Sequence, residues 1–377
     1  MGSMTYADDR NETDPVLVVA PGLTFGGCEL YAAGLAKALA ASGRRTSLVV
    51  HSANQPTFIT LVECDGLQVG SIDFMTEPAP RLASLAKGAT AAVICLPLPV
   101  PEPDGPEPLD LLVSLAEVTH VVAVWQLCHE TFHRSPVHRA TASALLRRGV
   151  KWVCVSQQNA EQMRSMYGLK SGDVQVVLNG VEDGEPAFTG DIRRARRDFL
   201  LGRDNIYALL SVGRLVKWKG HETAIRALTL LPAIVHLYIA GTGYDRPRLE
   251  ALSVELGLAE RVHFLGQRSD VRELLKCVDA YVHPSTAEGA SFALLEALVT
   301  ATPVIAAKTA SNPELLDGGR LGCLFAPGQP RSLAEQVMSL IASVNLKDKA
   351  ALAREHVLKH YTRSEMWEGV GRLLASQ

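Results

Sequence analysis

The chain has 377 residues, 47% of them hydrophobic and 20% charged, with 30 glycines and 20 prolines spread along it, a profile that excludes extensive disorder. That length exceeds what one hydrophobic core usually supports, so two globular domains are expected, and a formal net charge of -3 leaves no basic field for sequence-independent binding to nucleic acid. Seven cysteines without a Cys-x-x-Cys pair, several inside apolar runs such as Val93-Ile94-Cys95-Leu96, argue for buried thiols in a reducing cytoplasm rather than a disulfide set or a zinc site.

The residues after Met4 are polar, unlike the basic-then-apolar order of a signal peptide, and no apolar run approaches the roughly 18 residues of a membrane span. Pro15 to Ala20 predicts a buried strand, followed by Pro21-Gly22, a loop ending in Gly26-Gly27, and a helix over Glu29 to Ser42. Thr46 to Val50, Ala91 to Leu96, Val118 to Val124 and Trp152 to Ser156 read as further strands alternating with helix-like stretches, which predicts a mostly parallel sheet covered by helices. Pro97 to Pro108 reads as an exposed, restricted loop. The polar piece Glu182 to Gly190 has linker character, and the alternation then restarts. Ala208 to Val212, Val235 to Ala240, Val262 to Leu265, Ala280 to His283 and Pro303 to Ala306 are expected strands, with helices near 220–230, 246–256, 270–276, 292–300 and 331–343. The fold class is therefore α/β, with two doubly wound domains in series and ligands expected at the carboxyl ends of the strands, in the crevice between them.

Three constellations carry chemistry. Gly26 and Gly27 open a strand-to-helix turn, where backbone can approach a ligand and helix N–H groups point at it; the same pair also makes a plain tight turn. Gly213 to Gly220 follows a strand and sets Arg214 and Lys219 beside a helix start, a fork and a point charge that together could clamp a diphosphate, although such residues taken singly are often solvated surface charges. Glu288 to Glu296 places one carboxylate in a glycine-bearing loop and a second about a turn into an apolar helix, so both can reach one pocket. Carboxylates there suit vicinal sugar and ribose hydroxyls better than a metal. Ser291 is expected to cap that helix beside Phe292, and the apolar neighbours of Glu296 favour burial with a partner over a surface position.

Taken in order, Gly26-Gly27-Cys28-Glu29, His129-Glu130, Leu178-Asn179-Gly180-Val181, Gly213 to Gly220, Ala240-Gly241-Thr242-Gly243, His263-Phe264-Leu265-Gly266 and Glu288-x7-Glu296 resemble the retaining GT-B glycosyltransferases of glycosyltransferase family 4, over nearly the whole chain. The resemblance implies a GT-B fold with an acceptor-binding domain at 14–181, a linker at 182–190, a donor-binding domain at 191–360 and a C-terminal helix at 361–377 that crosses back to the first domain. It implies that Arg214 and Lys219 bind the donor diphosphate and stabilise its charge as it leaves, that Glu296 holds the ribose hydroxyls, and that Glu288 and His129 lie near the donor sugar. Gly26 and Gly27 would lie near the phosphates, Gly241, Gly243, Ser291 and Phe292 would line the donor site, and Gln267 and Arg268 would lie where the base is read. Asn312-Pro313-Glu314 matches a small loop near the donor phosphates, or else a simple helix cap. Where the family usually carries an aromatic residue and a glycine after the first Glu-Gly, this chain has Ala290 and Ser291, which puts the donor-sugar contact in doubt.

The implied activity is retaining, metal-independent transfer of a hexose-type sugar from a nucleotide diphosphate sugar, a UDP-sugar ahead of a GDP-sugar, to an acceptor hydroxyl. No tightly bound cofactor and no metal are expected. The acceptor, whether a natural product, another metabolite or a glycan intermediate, stays open, as does the oligomeric state. A GT-B sugar nucleotide epimerase and a non-catalytic nucleotide-sugar binding protein are the alternatives. Arg139, Arg147, Arg148 and Lys151 form a basic cluster that reads as a solvated helix face, with peripheral contact to anionic lipid the less favoured reading.

Overall fold

In the computed structural model, residues 15–22, 26–62, 67–74, 76, 78–97, 107–126, 134–184, 196, 198–200, 205–309, 311–343 and 346–375 are described. Among them the chain forms two parallel sheets. The first holds β1 (Val16–Ala20), β2 (Thr46–His51), β3 (Leu67–Ile72), β4 (Ala91–Leu96), β5 (His120–Trp125), β6 (Lys151–Cys154) and β7 (Val174–Val176), in the order β3-β2-β1-β4-β5-β6-β7. The second holds β8 (Tyr207–Val212), β9 (Val235–Ala240), β10 (Val262–Gly266), β11 (Ala280–His283), β12 (Val304–Ala307) and β13 (Cys323–Phe325), in the order β10-β9-β8-β11-β12-β13. Both are doubly wound, Rossmann-like sheets, and each reverses its strand order beside its own first strand, β1 or β8.

Continuous apolar strands arise because each sheet is covered on both faces. In β1, Val16, Val18 and Ala20 enter a core shared with the helix Gly27–Ala41, while Leu17 and Val19 enter the core on the opposite face with Leu112, Leu115 and Trp152. The second sheet buries Leu209, Leu237, Ile239, Val282 and Ile305 against the helices His221–Ala227 and Pro330–Ala342. Cys28, Cys95, Cys154 and Cys277 are buried and in no disulfide.

The expected strands form at or within about two residues of their expected ends. β3, β7 and β13, and the helix Leu346–His360, are elements the sequence reading did not single out. The terminal helix Arg363–Ala375 packs on the first sheet's side of the molecule: Trp367 meets Tyr31 edge-on at 5.2 Å, and a side-chain carbon added at Gly369 would lie 2.8 Å from Val177. Gly180 closes this junction, since a side chain there would lie 2.1 Å from the Thr362 carbonyl oxygen. Arg139, Arg147 and Arg148 are exposed and Lys151 is half-buried. Residues 98–106 of the proline-rich stretch lie outside the described residues.

Candidate active site

The carboxyl ends of β8 and β11, neighbours at the strand-order reversal, build the site. After β8 the chain turns at Gly213-Arg214, makes a single 3₁₀ turn over Lys217–Lys219, and passes through Gly220 in the left-handed region, φ 69°, before the helix from His221. Only glycine fits at 220, because a side-chain carbon would lie 2.1 Å from the Pro284 carbonyl oxygen of the loop after β11. The two loops are also bonded, Thr286 N donating to the Trp218 carbonyl at 2.8 Å. Gly241, φ 145°, presses on the Gly213 carbonyl oxygen, 1.9 Å from where its side chain would begin. These contacts hold Arg214 and Lys219 against the loop that carries Glu288.

Lys219 Nζ forms an ion pair with Glu288 Oε1, and both are largely buried. His283, the last residue of β11, puts Nε2 3.3 Å from the same oxygen, and the Tyr281 hydroxyl lies 3.0 Å from His283 Nδ1. A Tyr281 hydroxyl that donates to Nδ1 leaves the ring proton on Nε2, facing Glu288. Burial pushes the Glu288 carboxyl up, but Lys219 and then His283 outweigh it and hold the group well below the usual carboxylate range. His221 lies just behind: it is buried, with Nε2 3.3 Å from the Arg214 carbonyl oxygen and Nδ1 3.2 Å from Ser211 Oγ. Desolvation pushes its pKa down to about 4, so it is neutral at pH 7 and serves to hold the Arg214 backbone.

The two carboxylates eight positions apart take different partners. Glu296 is half-buried in the helix Phe292–Val299, with Arg272 Nε 3.8 Å from its Oε1, and burial raises its pKa against the pull of Arg272 and Arg363. Tyr281 feels both charges: its hydroxyl is pushed up by burial and then by Glu288 and Glu296. Ser291 caps the helix, accepting from Leu294 N at 3.5 Å.

The first unit closes over this loop. A side-chain carbon at Gly26 would lie 3.5 Å from Arg214 Nε, and one at Gly27 would lie 3.7 Å from Phe292. Both glycines therefore face the second unit's loops. Asn179 Nδ2 donates to the Ala290 carbonyl at 2.8 Å, and at Gly289 a side chain would lie 1.8 Å from the Gln126 carbonyl oxygen. Glu314 reaches across as well, accepting from Gln157 N at 3.3 Å and Gln158 N at 3.4 Å at the start of the helix Gln157–Tyr167, so its side chain is engaged by the first unit's backbone.

Of the residues singled out from the sequence, Arg214, Lys219, Glu288, Gly26, Gly27, Gly241, Gly243, Ser291 and Phe292 gather here, with Glu296 one helix turn away. Gln267 and Arg268 follow β10 and are exposed, with Arg268 Nε bonded to Asp270 Oδ1 at 2.8 Å. His129 lies outside the described residues, as do Leu23 to Phe25. Sequence reasoning missed His283 as a partner of Glu288 and Tyr281 as the residue behind His283; a histidine ending a buried strand beside the acidic loop was the available signal. Among the described residues no group of three or more His, Cys, Asp or Glu could hold a metal ion, and no helix is long and apolar enough to cross a membrane.

Two doubly wound parallel sheets meeting across basic and acidic loops define a GT-B type protein. The family models for "Glycosyltransferase Family 4" and "Glycosyl transferases group 1" match residues 25–185 and 207–343, and the chain belongs to this glycosyltransferase family. It is 29% identical over 170 residues to the lipopolysaccharide core biosynthesis glycosyltransferase LpsE of Rhizobium meliloti, covering 45% of this chain and 50% of that protein. It is 30% identical over 274 residues to the D-inositol 3-phosphate glycosyltransferase of Mycobacterium marinum, covering 70% of this chain and 58% of that one. The chain thus spans about half the length of the curated relatives it matches. Among solved structures, a glycosyltransferase from Rickettsia africae superposes with a TM-score of 0.81 at 17% identity, over 97% of this chain and 98% of that chain. HepE of Anabaena in complex with UDP-glucose superposes with a TM-score of 0.78 at 22% identity, over 96% of this chain and all of that chain (100%). At these identities the superpositions speak for the fold.

Proposed function

We propose that this protein is a retaining glycosyltransferase that moves a hexose-type sugar from a nucleotide diphosphate donor to an acceptor hydroxyl on a natural product, metabolite or glycan intermediate, without a metal. The observation that carries this reading is the buried Lys219–Glu288 pair beside Arg214, at the strand-order reversal and opposite the glycines of the first unit. The donor side falls to residues 191–360 and the acceptor side to 14–181, with 182–190 as the linker and 361–377 as the returning segment. A UDP-sugar is favoured over a GDP-sugar because the similar fold of HepE is solved with UDP and with UDP-glucose. A cytoplasmic setting is part of this reading, and the buried cysteines outside disulfides among the described residues are compatible with it.

The chemistry follows from the charges. Arg214 and Lys219 face the diphosphate, whose bond to the sugar C1 breaks as negative charge builds on the leaving oxygen, and fixed cations in a water-poor cleft stabilise that charge. Glu288 accepts from the sugar hydroxyls. Because its carboxyl is held so far down by its partners, Glu288 is a poor proton acceptor at neutral pH, which favours a route in which the departing phosphate oxygen takes the acceptor's proton. The acceptor oxygen then bonds C1 on the face that the diphosphate leaves, and configuration is retained.

The test is NMR of the product formed from α-linked UDP- and GDP-sugars with a panel of alcohol acceptors. An α-linked product is expected. A β-linked product would overturn the retaining assignment, and conversion of the nucleotide sugar without acceptor would point instead to an epimerase.

A further inference from the structure

Glu296 is reached by one guanidinium that also grips the chain between the two sheets. Arg272, near the start of the helix Val271–Cys277, sends Nη1 to the Gly184 carbonyl at 2.9 Å and Nη2 to the Glu182 carbonyl at 3.2 Å, leaving Nε 3.8 Å from Glu296 Oε1. Its side chain is only 18% exposed, so this arrangement is sheltered from competing water. The fit at the connecting segment is close, since a side-chain carbon at Gly184 would lie 2.6 Å from Nη1. The other side of that segment is held by the returning chain: Val181 N donates to the Tyr361 carbonyl at 2.8 Å, Arg363 Nη1 to Glu182 Oε1 at 2.7 Å, and Arg354 Nη2 to Asp183 Oδ1 at 2.7 Å. Residues 182–184, which follow the first sheet in sequence, are therefore held by the same guanidinium that stands 3.8 Å from Glu296.

We propose that Arg272 is a positioning residue that ties the ribose-binding carboxylate of Glu296 to the segment joining the two units, so that nucleotide binding and the placement of the units are coupled. This rests on the reading of Glu296 as the ribose contact. A planar fork suits this role, because five N–H donors in fixed directions let one side chain serve two carbonyls and a carboxylate at once, which a lysine ammonium on a flexible stem cannot reproduce. A segment held in place fixes the fork, the fork fixes the carboxylate, and an oriented carboxylate accepts from both ribose hydroxyls. Movement of the segment draws the fork away and leaves Glu296 to wander. The coupling runs equally in reverse, since a nucleotide that anchors Glu296 favours the fork and hence the held segment.

Calorimetric titration of the full chain with UDP and 2′-deoxy-UDP, with GDP and 2′-deoxy-GDP, and with pyrophosphate tests this. The wild type is expected to prefer a ribose diphosphate over its deoxy counterpart by about tenfold or more, the worth of a hydrogen bond to a charged group. Glu296→Gln should remove most of that preference. Arg272→Met should reduce it to within about threefold while leaving pyrophosphate affinity unchanged. Gly184→Ala, which pushes on the guanidinium from the linker side without touching Glu296, should weaken it too. A preference lost in Glu296→Gln but kept in Arg272→Met would overturn the role of Arg272 and leave the ribose reading standing. A preference kept in Gly184→Ala would overturn the coupling. An equal fall in pyrophosphate affinity would mark Arg272 as a general support of the fold and overturn the proposal. No preference in the wild type, or a full preference in Glu296→Gln, would overturn the ribose reading and this inference with it.

Discussion

Replacing Lys219 by methionine is expected to lower the transfer rate by about two to three orders of magnitude, the range seen when one fixed donor is removed from a developing anion. The same change should cost stability, because Glu288 stays buried and loses the partner that does most to keep it charged. Removing one member of a buried pair typically costs about 3–5 kcal/mol, or roughly 10 °C in melting temperature for a domain of this size. The pH dependence gives the sign. In the wild type the folded pKa of Glu288 lies below its unfolded value, so its contribution to stability is full at neutral pH and is lost as pH falls below the ordinary carboxylate range. In the variant burial acts with only His283 against it and the carboxyl moves up, so stability is lost as pH rises instead. The gap in melting temperature between the two proteins should be widest near pH 7 and narrow toward pH 4. An equal gap at every pH would contradict the pairing.

Gly289→Ala should act through the contact between the units, one residue on from Glu288. Its added carbon would begin 1.8 Å from the Gln126 carbonyl oxygen and 2.9 Å from Val155, both in the first unit, so the units must part there by more than an ångström. Through the coupling proposed for Arg272, parting the units should also weaken nucleotide binding, but by less than it slows transfer. The transfer rate should fall by about a hundredfold, since misplacing reacting groups by an ångström costs on that order. Kinetics alongside nucleotide titration separate the two quantities. Unchanged turnover would show that contact between the donor loop and the first unit is not needed for the reaction.

How far the sequence alone carries can be read element by element. β1 and β4 are unbroken runs of branched or apolar residues, and β8 and β9 are broken only by Ser211 and His236, because helices cover both faces, and such runs announce themselves. β3, Leu67–Ile72, is an edge strand with alternating exposure and a glycine, while β7 and β13 have three residues each, too few for any pattern. Arg214 and Lys219 could be chosen because spacing put both in one loop after a strand. That Lys219 meets Glu288, 69 positions on, is set by Gly220 lying under Pro284 and by Thr286 bonding Trp218, contacts between loops that no local spacing encodes. Arg272 carried no signal either, since two of its partners are backbone carbonyls, which every residue possesses. Glu288 and Glu296 were read as reaching one pocket; that they pair with different cations, Lys219 and Arg272, is a detail the eight-residue spacing does not carry.

Thermal unfolding with saturating uridine, guanosine, adenosine and thymidine diphosphates, with and without magnesium, for the wild type and Arg214→Ala, tests the donor site most directly. A ligand at a hundred times its dissociation constant stabilises by about 2.7 kcal/mol, a shift of several degrees. The account predicts that one nucleoside diphosphate, uridine first, raises the melting temperature equally with and without magnesium, and that Arg214→Ala loses the shift. No shift with any of the four, or the same shift in Arg214→Ala, would contradict it.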